Sequence, residues 1–236
     1  MEIDFLVPAA GRGTRMGSKG NKIFLALEGK PILLHTLRAL SGLPNLGRVI
    51  LLVRPDEEQE IAALLGSMGE GNLRWQLVHG GAERADSVRN GLKYLADNPG
   101  APVVMTHDAA RPFLDQTLVL RLLQALETHE AAVPALPVAE TTRRLGQNGR
   151  TEVVDRTGLY LTQTPQAFWA KWIKPVFLAP EASCLTLTDE AGYFERLGHS
   201  VALVEGAPTN LKITKPADLV LAELYLKERQ RLGAKD

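Results

Sequence analysis

Short apolar runs and longer amphipathic ones take turns along most of this chain, and that alternation restricts its fold more than any other feature. Ile3–Val7, Val49–Val53, Leu73–Val78, Val103–Met105 and Ala131–Ala135 have strand length and are bounded by Gly, Pro, Asn or Asp. Between them, Ile32–Leu40, Asp56–Leu65, Ser87–Ala96 and Asp115–Thr128 carry apolar residues at helical spacing, with Val88, Leu92 and Leu95 on one face. Strand–helix alternation of this kind predicts an α/β fold, a mostly parallel twisted sheet covered by helices on both faces. Such a sheet holds its ligands at the carboxyl ends of its strands. No linker, internal repeat or low-complexity stretch divides the 236 residues, so a single domain over 1–236 is expected.

The alternation fails at 139–163, "AETTRRLGQNGRTEVVDRTGLYLTQ", where Thr and Arg dominate and Asn148-Gly149 signals a hairpin turn. A two-stranded hairpin with so little apolar surface is not stable alone, so it leans on the body or on another subunit. Beyond it, helices are expected at Ala167–Leu178 and Thr188–Leu197 and strands at Val201–Val204 and Leu211–Ile213. A last helix is expected from Pro216 to about Arg231, with Thr214 as its cap.

Lys plus Arg (27) cancels Asp plus Glu (27), so no bulk basic field draws this chain to nucleic acid. One cysteine, Cys184, allows no internal disulfide, and no His lies close in sequence to make it a nucleophile. The acidic first residues lack the pattern of a signal peptide, and no apolar run reaches the ~18 residues a membrane helix needs. The expected location is the cytoplasm, with no membrane partner.

Against this neutral background, "PAAGRGTRMG" follows the first strand and places Arg12, Arg15, Lys19 and Lys22 within a few residues, with no acid among them. It matches neither the dinucleotide fingerprint, having Met16 where the third glycine belongs, nor a P-loop, where Lys should follow Gly17. Clustered cations beside Ala9-Ala10-Gly11 at a strand end suit an anion better than a solvated turn. Gly80-Gly81 leads into a helix whose N-terminus could offer N–H groups to a ligand, with Ser87 in its first turn, or could be a plain turn. Asp108 in "HDAARP" ends a strand and could either hold a divalent metal or bond its own backbone. His107, His35, His79, His129 and His199 have neither a nucleophile nor metal-ligand spacing beside them. Thr188-Asp189-Glu190 reads as a helix start. Lys212 in a strand is costly unless it reaches a charge.

Singly these segments say little. In order along the chain, "LVPAAGRGTRM", "GGAERADSV", "HDAARP", "VDRTGLY…TQTPQ", "LTDEA" and "NLKITKPADL" closely resemble the 2-C-methyl-D-erythritol 4-phosphate cytidylyltransferases of non-mevalonate isoprenoid precursor synthesis. The resemblance spans Leu6 to Leu219 and implies a Rossmann-like nucleotidyltransferase fold with a protruding β-hairpin arm. It also implies transfer of CMP from CTP to 2-C-methyl-D-erythritol 4-phosphate with release of pyrophosphate. One departure stands out: the family carries Pro-Lys-Gln where this chain has Asn21-Lys22-Ile23. The loop is then either looser here, or Lys19 replaces Lys22.

By similarity, Arg15 and Lys22 stabilise the transition state, while Ala9, Ala10, Gly11, Gly81 and Ser87 hold cytidine and phosphates, largely through backbone groups. Asp108 lies near the metal-bound phosphates, with Mg²⁺ or another divalent cation expected. Arg111 and Thr188 lie near the acceptor, and Lys212 bridges nucleotide and acceptor phosphate. Thr141 and Arg156 position the acceptor across a homodimer interface made by the arm. The ribitol-5-phosphate cytidylyltransferases share this chemistry with a different polyol. A catalytically silent nucleotide-binding relative is a third reading; retained Arg15, Lys22, Asp108, Arg156 and Lys212 speak against it.

Overall fold

A computed structural model describes residues 1–11, 20–68, 73–179 and 188–233. In chain order the strands are β1 (Ile3–Pro8), β2 (Ala26–Leu27), β3 (Lys30–Pro31), β4 (Leu46–Val53), β5 (Arg74–His79), β6 (Val103–Thr106) and β7 (Ala131–Pro137). They continue with β8 (Thr142–Leu145), β9 (Thr151–Val154), β10 (Tyr160–Thr162), β11 (Gln166–Trp169) and β12 (Val201–Glu205). The α-helices are α1 (Ile32–Ser41), α2 (Glu58–Gly66), α3 (Arg84–Asp97), α4 (Gln116–Ala125), α5 (Ala191–Arg196) and α6 (Pro216–Gly233).

β1 lies at the heart of an eight-stranded sheet and pairs in parallel with β4 on one side and β6 on the other. β5 extends the sheet beyond β4, again in parallel. The chain therefore runs outward through β4 and β5, then returns to the other side of β1. That reversal opens a crevice at the carboxyl ends of β1 and β6. On the far side, β11 runs antiparallel between β6 and β7, β10 pairs antiparallel with β7, and β12 pairs with β7 in parallel.

Both faces of the sheet are covered, which is why its central strands read as continuous apolar runs. Phe5, Val7 and Leu51 pack under α1, α2 and α4 through Leu37, Ile61 and Leu122. Leu6, Ile50 and Leu52 face α3 and an aromatic group that includes Phe168, Phe177 and Phe194. Gly91 lets α3 lie close: a Cβ there would sit 2.6 Å from Leu52 Cδ2 and 2.7 Å from Leu6 Cδ2. At the amino end of β1, buried Asp4 accepts from Arg48 N (2.8 Å), Arg48 Nη2 (2.6 Å) and Ala101 N (3.1 Å). This carboxylate fastens the foot of the sheet, opposite the crevice.

The hairpin forms as its sequence predicts. β8 and β9 make a separate two-stranded sheet, Thr142 opposite Val154 and Leu145 opposite Thr151, with Gly149 at φ 75° in the turn. The arm leaves Leu145 and Val153 largely exposed, at 70% and 59%.

Several expectations are corrected. The segment expected as a helix at Ala167–Leu178 is instead β11, a 3-10 turn at Ala170–Trp172 and a π-helical turn at Ile173–Phe177. A strand buried on both faces and a buried helix cannot be told apart by apolar content alone, and Pro175 removes a helical donor. Leu211–Ile213 is no strand; Ile213 N donates to Ala110 O at 2.9 Å, and no ladder pairing is seen among the described residues. The helix expected at Thr188–Leu197 is only α5, and Asp189 rather than Thr188 meets its first turn, accepting from Gly192 N at 3.1 Å. At α6 the expected cap is reversed: Asp218 accepts from Thr214 N, Thr214 Oγ1 and Lys215 N.

Candidate active site

The crevice holds a cavity of about 700 Å³, lined by residues 8–11, 21–23, 54–56, 81–84, 87, 108–110, 212 and 214. Ala9, Ala10, Gly11, Lys22, Gly81, Ser87, Asp108 and Lys212, all singled out from sequence, face it together. Arg15 and Lys19 lie outside the described residues, as does Cys184.

Asp108 is its charged centre. The carboxylate meets Lys212 Nζ at 2.8 Å, Arg111 Nε at 3.4 Å and Arg84 Nε at 3.5 Å. Burial alone would raise its pKa, but the charges of Lys212, Arg84 and Arg111 outweigh burial and hold the carboxyl well below the usual range. The backbone under it is braced by neutral groups. Asp108 N donates to Thr164 Oγ1 (3.0 Å), and the His107 ring spans Thr164 Oγ1 (3.2 Å) and the Arg111 carbonyl (3.0 Å). Burial lowers the His107 pKa to about 4, so its ring is an uncharged strut. Asn210 Nδ2 donates to Thr164 O (2.7 Å), and Arg111 Nη1 donates to Asn210 O (2.7 Å). "HDAARP", "TQTP" and "NLKIT" are thus sewn into one floor.

Arg84 carries a second link. Its Nη1 and Nη2 reach Glu190 Oε1 and Oε2 at 2.7 and 3.2 Å, a bidentate pair on a fully buried carboxylate. Burial raises the Glu190 pKa despite that partner. Burial also opposes the charge on Arg84, yet Glu190 and Asp108 more than offset it and raise its pKa. Sequence reasoning missed Arg84 and took Glu190 for a dipole partner at a helix start. A pair 106 positions apart leaves no local signal.

The Gly80-Gly81 turn differs from its expectation. α3 is closed by a capping box between Glu83 and Asp86, and the Gly81 N–H already donates to Ser87 Oγ (3.0 Å). The two glycines are required by packing: a Cβ at Gly80 would meet Ser87 Oγ at 2.7 Å, and one at Gly81 would meet Asp86 Cβ at 2.3 Å. Around Gly11, by contrast, no described residue comes within 4 Å of where a Cβ would sit.

Lys22 opens a short 3-10 turn and points across the crevice, its Nζ donating to Ile213 O at 2.8 Å. Asn21, noted from sequence only as a departure, is 4% exposed and bonds Ala9 O, Glu57 and Ile23 N. Arg111 lies under Asp108 rather than on the cavity wall, and Thr188 is exposed outside it. Thr141 and Arg156 stand at the base of the arm, where Arg156 Nη1 donates to Ala139 O, and neither lines the cavity of its own chain. Among the described residues, no three His, Cys, Asp or Glu side chains cluster to hold a metal, and no helix is long and apolar enough to cross a membrane.

The fold and these motifs match known proteins over almost their full length. The family model described as 2-C-methyl-D-erythritol 4-phosphate cytidylyltransferase (IspD) covers residues 3–228. The enzyme of that name from Bacillus velezensis is 38% identical over 96% of this chain and 97% of its own length. That from Bacillus mycoides is 37% identical over 96% and 98%. The crystal structure of 4-diphosphocytidyl-2C-methyl-D-erythritol synthase from Anaerococcus prevotii superimposes with a TM-score of 0.80 at 30% identity, covering 96% of this chain and 98% of that one. Six motifs in order, one crevice that gathers most of them, and near-complete coverage at such identity lead to one conclusion: this chain belongs to the 2-C-methyl-D-erythritol 4-phosphate cytidylyltransferase family.

Proposed function

We propose that the crevice performs the family's reaction: a phosphate oxygen of 2-C-methyl-D-erythritol 4-phosphate attacks the α-phosphorus of CTP, the bond to the β-phosphate oxygen breaks, and pyrophosphate leaves. The nucleophile is already an anion at neutral pH, so no general base is needed. The work is to bring two polyanions together and to stabilise charge on the α-phosphoryl group.

The observation that carries this reading is the Asp108 cluster at the carboxyl end of β6, with Lys212 held 2.8 Å away on the same wall as Lys22. Asp108 orients Lys212 between nucleotide and acceptor, and Lys22 faces the transferring phosphoryl group, a role that the resemblance to the family also gives to Arg15. Among the described residues nothing crowds a Cβ at Gly11, and a glycine just past β1 lets the backbone approach nucleotide and phosphates closely. Arg111 acts from below, through Asp108 and the 210–212 segment, and Thr188 borders the acceptor side.

Magnesium suits this donor set as an ion carried in by the triphosphate, because Mg²⁺ favours phosphate oxygens and waters with one or two carboxylates. Of the cavity's carboxylates, Asp56, Glu83 and Asp108, the last is the one that the resemblance puts near the metal-bound phosphates, and the ion would neutralise phosphate charge. Thr141 and Arg156 serve the acceptor in the partner's crevice of a homodimer joined through the arm. Supporting this are the exposed apolar residues on and beside the arm: Leu145, Val153, Leu159, Tyr160 and Leu161. A cytoplasmic location goes with this reading.

Pyrophosphate release from CTP with magnesium tests it. Release is expected with 2-C-methyl-D-erythritol 4-phosphate and at most a tenth of that rate, roughly a 1.4 kcal/mol discrimination, with ribitol 5-phosphate. Equal or greater release with ribitol 5-phosphate reassigns the acceptor. No release with either leaves only a binding protein.

A further inference from the structure

We propose that Asn21 and Glu57 are a positioning pair that sets Lys22 for phosphoryl transfer, resting on the cytidylyltransferase reading above. The loop of cations leaves β1 at Ala9 and ends at Asn21, and one buried side chain joins these two points. Asn21 Nδ2 donates to Ala9 O at 2.6 Å and to Glu57 Oε2 at 2.9 Å, while its Oδ1 accepts from Ile23 N at 3.3 Å. The first bond reaches the loop's entry, the last caps the turn at its exit, and the middle one moors both to the connection between β4 and α2.

Glu57 is itself held. It is 8% exposed, and its Oε1 lies 3.5 Å from Arg54 Nη1, whose Nε donates to Asp56 at 2.9 Å. A carboxylate this buried is costly unless its partners are fixed, so a loose loop end would leave both Glu57 and the Asn21 amide unsatisfied. Lys22 is the next residue in the chain and the first of the capped turn. Its bearing on the cavity follows from the cap, and a misplacement of ~1 Å can cost ~10²-fold in rate.

The test uses two size-matched variants. Asn21→Asp keeps the acceptor for Ile23 N, loses both donated bonds and sets a second carboxylate against Glu57. In Asn21→Asp/Glu57→Gln, the introduced amide can donate to the introduced carboxylate. Asn21→Asp is expected to lower kcat by about 10- to 100-fold with KM for CTP within about threefold, since misplacement acts mainly in the transition state. The double variant is expected to regain at least about fivefold. Tryptic cleavage between Lys22 and Ile23 needs no substrate; it should quicken about tenfold in Asn21→Asp and slow again in the double variant. A folded Asn21→Asp with kcat within twofold of wild type, or a double variant no better than the single, overturns the pair. Unchanged cleavage overturns it even if the wild-type protein proves inactive with CTP. Should Asn21→Asp not fold, Glu57→Ala must lower kcat at least about threefold through Asn21, and a smaller change overturns the proposal.

Discussion

Asp108, at 9% side-chain exposure, is enclosed by the chain's own fold among three cations, whereas Arg144 and Glu152, 2.7 Å apart on the arm, face water at 68% and 63% exposure. In the crevice three described charges each lean on another element: Lys212 on Asp108, Arg84 on Glu190, Lys22 on the Ile213 carbonyl. On the arm the pair joins only the two strands of the hairpin, Arg144 on β8 to Glu152 on β9. Groups fixed by several elements can act within one chain, whereas the proposed homodimer is what would fix Thr141 and Arg156. The residues named by similarity divide along that line. The described residues named for the nucleotide line the crevice, and four of those named for the acceptor, Arg111, Thr141, Arg156 and Thr188, lie off its wall.

Exchange of subunits gives the largest effects. Lys22→Ala should cost about 10³-fold in turnover while leaving folding intact, the scale seen for well-placed cations on a transferring phosphoryl group. Arg156→Ala should be similarly crippled as a homodimer through loss of its grip on the acceptor phosphate. Mixed and re-equilibrated, the two mutants form dimers in which one site carries both lesions and the other none. By that site count, up to about half of normal activity per heterodimer should return. Confirmed exchange with activity no higher than the parents' would show that Arg156 serves its own chain, and the contrast between arm and crevice would lose its meaning.

Stability separates the regions next. Asp108→Asn leaves Lys212, Arg84 and Arg111 facing one another without their shared counter-charge, and a broken buried pair costs roughly 3–5 kcal/mol. Arg144→Ala should change stability by less than about 1 kcal/mol, as exposed pairs do. Urea unfolding of both variants reads the difference, and near-equal losses would erase it.

The smallest effect is in pH. His107 ordinarily takes a proton near 6.5, but in the fold only near about 4. Between those values the unfolded chain binds the proton and the native chain does not. The contribution is therefore complete above the upper value and is lost as pH falls toward the lower one, about 3 kcal/mol in all. His107→Gln should flatten unfolding free energy between pH 6.5 and 4.5 relative to wild type. An unchanged slope would mean that other groups set the acid limb.

The central strands were legible where pattern is local. β1, β4, β5, β6 and β7 lie where apolar runs bounded by turn residues put them, and Asn148-Gly149 marked the arm. β10 and β11 were not, because "YLTQTPQAFW" pairs with strands far away in sequence and its apolar residues fit either period. Lys212 was placed in a strand since "NLKIT" alternates; in the fold that stretch crosses the crevice wall. Most of the cavity lining was legible because its residues fall in recognisable segments. Arg84, Glu190 and Glu57 were not, because a buried charge is defined by its partner and no spacing announces one. Asn21 stood out in sequence only as a departure, and its three bonds could be read only from the folded chain.

Gly91 has a consequence beyond packing. It lies one turn past Ser87 and two past Arg84 on the stripe of α3 that faces the sheet, and only its missing side chain lets the helix rest on Leu6 and Leu52. The thickness of that contact is a gauge block for the crevice. It sets how high the front of the helix stands over the end of β1, and so the gap between Arg84 and Asp108. Positions 6, 52 and 91 are therefore free to vary only as a set: a methyl gained on the helix has to be matched by one lost from the strands, or the far end of the lever moves.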